Sequence, residues 1–397
     1  MRRISAYSLL TWRKAGCLPF VMNTFGVLFS LISRNFLRAA LLSGLLAVPD
    51  SSWAADLPAN ASGTLSGDAG SLTVSAGAKY LMPQGYKGSD IITNAAGLQL
   101  RDASPSSPDG ILAPSVSITA ERQTSLKLPG LRDLRLMGEF SYSGGSARSN
   151  GAVTTQATEY IILLSVDPAY NWIGGVGAMG TDATSRVSIS EDNFDLRLGL
   201  EGKGTPWQPG GGEITATPVF GAGIFASTQR YKVSTQFTAL SGTDTYKMVE
   251  SIRTTDIGPE LRAGISFALP WGARAEALAN AALLVGWADL EASQAVQTGV
   301  GWLANKRSPT HSATRSVNDV LVSGLFGLTL RGEAPVAEKC TLGLEASGRF
   351  WTSRPTIENP MSLGGTGVVT TGTNEGVRMG QDSASELGAA LRLSYSF

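Results

Sequence analysis

From residue 71 onward, apolar and polar residues alternate with period two over many stretches of the chain. Leu72, Val74, Ala76, Ala78 and Tyr80 are interleaved with Thr73, Ser75, Gly77 and Lys79. Leu134, Leu136, Gly138, Phe140 and Tyr142 alternate with Asp133, Arg135, Met137, Glu139 and Ser141. The same rhythm runs through Phe194–Glu201, Glu260–Phe267 and Leu342–Phe350, and is sharpest at the end. There Leu387, Ala389, Leu391, Leu393, Tyr395 and Phe397 share one parity, and Glu386, Gly388, Ala390, Arg392, Ser394 and Ser396 the other. Successive side chains of a strand point to opposite faces, so each run predicts a strand with one apolar and one polar face.

The connections between these runs alternate between short and long. Lys127–Gly130, Asp167–Tyr170, Ala268–Gly272 and Gly332–Lys339 read as short turns, and Gly202–Glu213 as an intermediate, Gly-rich one. Pro83–Gly110, Arg230–Asp256, Leu290–Asp319 and Ser353–Ser383 read as long loops, with Gly145–Gln156 and Ala183–Asp192 of moderate length. A soluble sandwich would interrupt its strands with tight turns about every 8–12 residues. Short turns at one end and long loops at the other instead predict a membrane barrel. The expected fold is therefore all-β, a single transmembrane antiparallel β-barrel over residues 71–397. Its count is about twelve strands, with ten to fourteen as the range; the weakest are near Asn171–Asp182 and Ile214–Gln229.

Composition fits a strand set placed between lipid and water. Charged residues make up 16% of the chain, against about 25% in soluble proteins. No segment beyond the leader offers the roughly 20 unbroken apolar residues of a membrane helix. The leader reads as a secretory signal peptide over residues 1–54: Arg34 and Arg38, an apolar core Ala39–Val48, then Ser52-Trp53-Ala54 as the cleavage site. Met22 is an alternative start. Ala55–Gly70 reads as a flexible periplasmic lead-in. Taking six basic and one acidic residue off 32 of each leaves 26 and 31, a net charge of −5. That balance gives no basic face for nucleic acid. Cys340 is the sole cysteine beyond the leader, so no internal disulfide is expected.

If the apolar faces meet lipid, the polar faces line the lumen, because a lysine or arginine on the lipid face near the midplane costs about 2–4 kcal/mol. The candidate lumen-lining residues are Lys79, Arg135, Glu139, Arg197, Glu201, Glu260, Arg262, Arg274, Glu276, Glu345, Arg349, Glu386 and Arg392, with Glu121, Asp133, Glu159 and Asp195 of the same parity. Two roles compete for them. They could form charged rings that select solutes, or pair across strands and fill a narrow bore. Signs are mixed on single strands, as in Glu260/Arg262, Arg274/Glu276 and Glu345/Arg349, which favours pairing for most.

Other chemistry is thinly represented. His311, the sole histidine, lies in a predicted long loop beside Ser308 and Ser312 and reads as a solvated loop residue. An acid pair such as Glu260 with Glu276 could do acid–base work, but no spacing singles it out. Gly210-Gly211-Gly212 and Gly364-Gly365-Thr366-Gly367 lack the Lys-Ser/Thr ending of a phosphate loop. The segment from Asn359 to Gly367 reads as a flexible external loop. No catalytic residues, metal site or cofactor are expected. Tyr170, Trp172, Trp207, Trp271, Tyr395 and Phe397 fall near predicted periplasmic strand ends, and Tyr80, Tyr142, Trp287 and Trp351 towards the other ends, as two interfacial girdles require. Trp351 shares parity with Glu345 and Arg349 and so is also a candidate for the lumen.

The terminal pattern Leu391, Leu393, Tyr395, Phe397 resembles the closing-strand signal that the barrel assembly machinery of Gram-negative bacteria recognises, and the whole of 71–397 resembles a porin-like barrel. Tyr86-Lys87-Gly88-Ser89-Asp90 and the ending Leu391–Phe397 are also similar to segments of the MipA/OmpV family, a resemblance that implies a scaffold or small transport role. The expectation is a transport-type protein of the cell outer membrane. It would act as a passive channel for small hydrophilic solutes, or alternatively as a non-conducting envelope scaffold or loop-mediated binding protein. Its partners would be outer-membrane lipid and the assembly machinery.

Overall fold

A computed structural model describes residues 70–82, 90–94, 99–102, 108, 110–154, 159–163, 175–176, 182–209, 212–239, 245–297, 310–358, 361–362, 373–374 and 377–397. The expected signal peptide and lead-in lie outside these residues, but for Gly70, as do most of the Tyr86–Asp90 and Asn359–Gly367 segments. Ten strands close into one antiparallel ring: β1 (Gly70–Met82), β2 (Ile111–Gln123), β3 (Arg132–Thr154), β4 (Asp182–Lys203), β5 (Thr215–Ala239), β6 (Thr245–Ala268), β7 (Arg274–Gln297), β8 (Thr310–Ala337), β9 (Cys340–Glu358) and β10 (Arg378–Ser396). Each pairs with its successor, and β10 returns to β1 with Leu72 opposite Tyr395 and Val74 opposite Leu393. Closure leaves no unpaired edge, the condition for a sheet to stand in lipid.

The ring has ten strands, where twelve were expected. β3 and β4 pair continuously from Thr154↔Asp182 down to Arg135↔Glu201 and leave no slot for two strands between them. The apolar run Glu159–Leu163, which reads as a membrane strand, pairs instead with Asp90–Asn94 in a separate sheet completed by Gln99–Asp102 and Gly175–Val176. Most of the other expected strand, near Asn171–Asp182, lies outside the described residues.

The loops differ as well. Most of Arg230–Asp256, Ala183–Asp192 and Gly145–Gln156 is strand, and the Gly332–Lys339 turn shrinks to Glu338-Lys339. The turns at the end bearing Gly70 and Phe397 span two to eleven residues, and that end is periplasmic by the usual rule for such barrels.

These strands are far taller than a bilayer. At about 3.3 Å per residue and a tilt near 40°, a 24-residue strand such as β6 rises roughly 60 Å, against an apolar band of about 25 Å. The sequence handles the two parts in opposite ways. Low on β6, Ile257, Leu261 and Ile265 point outward and are exposed, while Glu260 and Ser266 point inward and are buried. High on the same strand Tyr246, Met248 and Ile252 point inward, each at most 1% exposed, while Lys247, Ser251 and Arg253 point outward. Along β6 side-chain parity is unbroken; hydrophobicity changes sides. β4 does the same between Phe194 and Ile189, and β7 between Trp287 and Leu290. The lower barrel is therefore built for lipid outside and the upper barrel for water outside.

Aromatic side chains mark the boundaries. Tyr80, Phe194 and Trp287 are exposed at the upper edge of the belt, and Trp207, Trp271, Tyr395 and Phe397 at the lower. Trp351 is the exception, turned into the lumen and buried. The turn after β6 needs positive φ at Trp271 (63°) and Gly272 (77°), which presents the Trp271 ring to the interface. Such an exposed apolar belt, bounded by aromatics on a closed barrel, places the protein in the outer membrane. Replacing Leu261, 66% exposed in mid-belt, with arginine is expected to destabilise the barrel by about 2–4 kcal/mol. Ser234→Arg, outward on the upper wall, should change stability by under about 0.5 kcal/mol. Urea unfolding in lipid vesicles measures both, and equal costs would contradict the inversion.

Candidate functional site in the barrel interior

Ten strands enclose a narrow bore, and the inward charges of the lower barrel meet across it. At the periplasmic end Arg135 of β3 reaches Glu121 of β2 at 3.0 Å, and Arg274 reaches Glu276 at 2.8 Å. Arg331 of β8 bridges Glu276 at 3.5 Å and Glu345 of β9 at 2.9 Å. Glu345 also accepts from Arg392 of β10, whose Nε lies 3.3 Å from Glu333. Deeper in, Arg197 of β4 holds Glu139 of β3 at 3.0 Å and lies 3.3 Å from Glu260 of β6, which also takes Arg262 at 3.2 Å.

The next layer spans the whole ring. Arg349 on β9 donates to Asp195 on β4, five strands away in either direction, and lies 3.2 Å from Glu386 of β10. Asp195 also accepts from Ser141 of β3 and Ser227 of β5, at 3.2 and 2.9 Å, and Lys79 of β1 reaches Glu386 at 3.2 Å. Cα atoms of β6 and β9, three strands apart, approach within 8 Å. The space left is a cavity of about 50 Å³ lined by Lys79, Glu139, Arg197, Arg331, Glu345 and Arg349. One water needs about 10–15 Å³ on this measure, so the cavity holds a few waters.

A second crossing lies above the belt. Arg354 of β9 stacks on the Trp351 ring, 3.9 Å from its centroid, and stands 3.8 Å from Glu191 of β4. Asn193 and Gln229 donate to the Glu191 carboxylate at 2.9 and 2.6 Å. Burial nonetheless pushes the Glu191 carboxyl above the ordinary carboxylate range, since the arginine is too distant to offset it. Burial and the facing Glu191 and Glu250 raise the Tyr231 hydroxyl likewise. Higher still, the bore is lined mainly by hydrocarbon, with Thr235, Glu250 and Gln294 buried among it. Val187, Ile189, Val233, Phe237, Tyr246 and Leu290 belong to one buried cluster, each burial worth about 1.5–3 kcal/mol. Charge below and hydrocarbon above close the described lumen twice.

All thirteen candidate lumen residues lie on the inward parity of the ring. Twelve of them are joined in the contacts above. Glu201 stands opposite Arg135 in the β3–β4 register, while the Arg135 guanidinium turns to Glu121. Asp133 is a correction: a register shift between Arg132 and Arg135 and φ of 49° turn it outward, exposed. The side chains of Glu159 and His311 lie outside the described residues, although the backbone of His311, on β8, pairs with Val296 of β7 rather than sitting in a loop. Leu391, Leu393 and Tyr395 of the terminal pattern lie on the outer face of β10, with Phe397 just beyond its end.

Four charged members were missed. Arg331 and Glu333 sit where the alternation runs into the supposed turn, yet their parity with Thr329 was readable. Glu191 lay in a stretch read as loop. Arg354 was hidden by the register shift between Trp351 and Arg354, which resets the inward parity.

Two expectations follow. Arg349→Met leaves Asp195 buried without the cation that bridges to it and should cost about 3–5 kcal/mol; adding Asp195→Asn should restore most of it, while Glu386 keeps Lys79. Urea unfolding of the single and double variants reads this, and equal losses in both would refute the pairing. For Glu191, the raised folded value means that the folded state binds the more protons, so its stabilisation is complete below about pH 4.3 and is lost as pH rises. The stability of wild type minus that of Glu191→Gln should therefore fall as pH rises above about 4.3; a flat or rising difference contradicts the assignment.

No family model and no curated protein sequence matches the chain. Among solved structures, the outer membrane protease OmpT from Escherichia coli is similar at 10% identity over 84% of this chain and 98% of its own, with a TM-score of 0.35. The COG4313 outer membrane channel from Pseudomonas putida F1 shows 10% identity over 88% and 100%, TM-score 0.22. The transport unit of the autotransporter AIDA-I from Escherichia coli shows 7% over 86% and 93%, TM-score 0.23. Likeness at this level transfers no activity and no ligand to the present chain.

Proposed function

We propose that this barrel is non-conducting and serves the envelope as a scaffold or binding element, through its tall external end. The observation that carries the proposal is the Arg349–Asp195 bridge, which joins opposite walls of the ring through the middle of the bore. A selective pore needs charge facing mobile solute; here the charged groups face each other. The apolar cluster over the bridge adds a second barrier, since a file of water gains no hydrogen bonds from Val233, Phe237 and Leu290. No reaction falls to the interior in this reading, because most of its acids and bases are engaged in holding the walls together.

The test is electrical. The folded chain, with insertion verified by protease protection in the same vesicles, is fused into a planar bilayer. The expected record is an inserted barrel without steps. Stable, reproducible steps from the wild type would overturn the proposal in favour of a passive channel for small hydrophilic solutes, with the reversal potential reporting its charge preference.

A further inference from the structure

The outward face of β3–β6 above the belt is strongly basic. Arg148, Arg186, Arg230, Lys232, Lys247 and Arg253 all lie on it and are exposed. Among the described side chains Asp192 is the acid of this face, and its carboxylate accepts from the Tyr142 hydroxyl at 3.0 Å. Arg186 holds Asn150 at 3.1 Å, while the other five cations have no ion-pair partner among the described residues. Arg230 and Arg253 stand directly opposite each other across β5 and β6. Like charges in that relation repel and weaken the sheet, unless an anion bridges them. Beside them a groove of about 380 Å³ runs between Ser146, Arg148, Ser188, Ser190, Lys232 and Ser234, offering hydroxyl donors between two cations.

The height of the patch identifies its ligand. Arg230 and Arg253 sit just above the apolar belt, opposite Asp192 and Asp289 respectively in the register. Arg186 lies eight residues beyond Phe194 on β4, roughly 20 Å higher at a strand rise of about 3.3 Å and a tilt near 40°. A phospholipid headgroup layer is only about 5–8 Å deep. Cations over this range match a lipid whose anionic headgroup is itself tall. Arginine favours phosphate through its planar fork of donors. The patch is also one-sided, because the same rows on β7 carry Asp289 and Glu291.

We propose that the β3–β6 wall is a binding site for the phosphorylated saccharide headgroup of an outer-leaflet glycolipid. The acyl chains lie along the belt below, against Phe194 and Ile224. Phosphate bridges Arg230 and Arg253, and further anionic groups reach Lys232, Arg148 and the groove. The site is external and is independent of whether the bore conducts.

The folded full chain in neutral detergent is titrated with purified lipopolysaccharide, with the same lipid after phosphate removal, with phosphatidylglycerol and with inorganic phosphate. Lipid retained on the protein is counted by native mass spectrometry. Phosphorylated lipopolysaccharide should bind about tenfold or more tightly than the dephosphorylated form, and Arg230→Gln/Lys232→Gln/Arg253→Gln should lose that advantage. The urea midpoint of the triple variant checks that it folds; Asp289→Asn/Glu291→Gln on β7, which removes the carboxylate opposite Arg253, serves as the control and should bind at least as tightly as wild type. A triple variant that binds as tightly as wild type would overturn the proposal. So would displacement by phosphatidylglycerol as effective as by lipopolysaccharide, which would make the face a general anionic-lipid surface, or displacement by inorganic phosphate at matched concentration.

Discussion

Buried charge of opposite sign, matched across a bore only a few side chains wide, is the interaction on which this barrel rests. The side chains of Lys79, Arg197, Arg349 and Arg392 are each at most 10% exposed and could not stay ionised there alone. Each is met by carboxylates from other strands, so the walls are tied by contacts that run across the ring as well as around it. Narrowness and pairing require each other. A wider ring would part Arg349 from Asp195, and an unpaired set of charges would force the ring to admit water.

Above the belt the same strands meet a different solvent, and their composition follows it. In lipid the outer face must be hydrocarbon and the inner face may be polar; in water the economy reverses, and the interior becomes an ordinary apolar core with Phe237 and Tyr246 packed at 6.1 Å between ring centroids. The exchange needs no break in the strand, only a change in which parity carries the apolar residues. It occurs near Asn193 on β4, Gln229 on β5 and Asp256 on β6, where inward polar groups occupy the transition.

This exchange explains what could and could not be read from the sequence. Within the belt, the Leu387–Phe397 and Leu134–Tyr142 alternations identify both the strands and their inward faces, because one apolar parity against one polar parity is unambiguous. Above it, Arg186, Ser188 and Ser190 surround Val187 and Ile189 in a pattern equally strand-like but opposite in phase. Joined to the run below, it blurs into apparent loop, so Ala183–Asp192 and Arg230–Asp256 were read as connections. The strand count erred where Glu159–Leu163 has the composition of a membrane strand but finds its partner in Asp90–Asn94. The lattice was legible as a set of inward charges and not as pairs, because Asp195 and Arg349 are 154 residues apart and nothing local joins them.

The seam between β1 and β10 differs in kind from every other join in the ring. All the others link ring strands that follow one another along the chain, whereas this one joins the first to the last and brings together Lys79 and Glu386, 307 residues apart. Loop-closure entropy makes such an encounter about 3 kcal/mol dearer than closing a loop of roughly ten residues. Its fit is also tight, since Gly77 packs against the Ala389 backbone with no space for a Cβ. Until that seam zips, the sheet is a curved ribbon with two bare rims, each able to pair with any other strand it meets. The seam is thus the natural gate through which a folding catalyst could template one rim and exclude stray partners, and the place where the finished ring would first come apart.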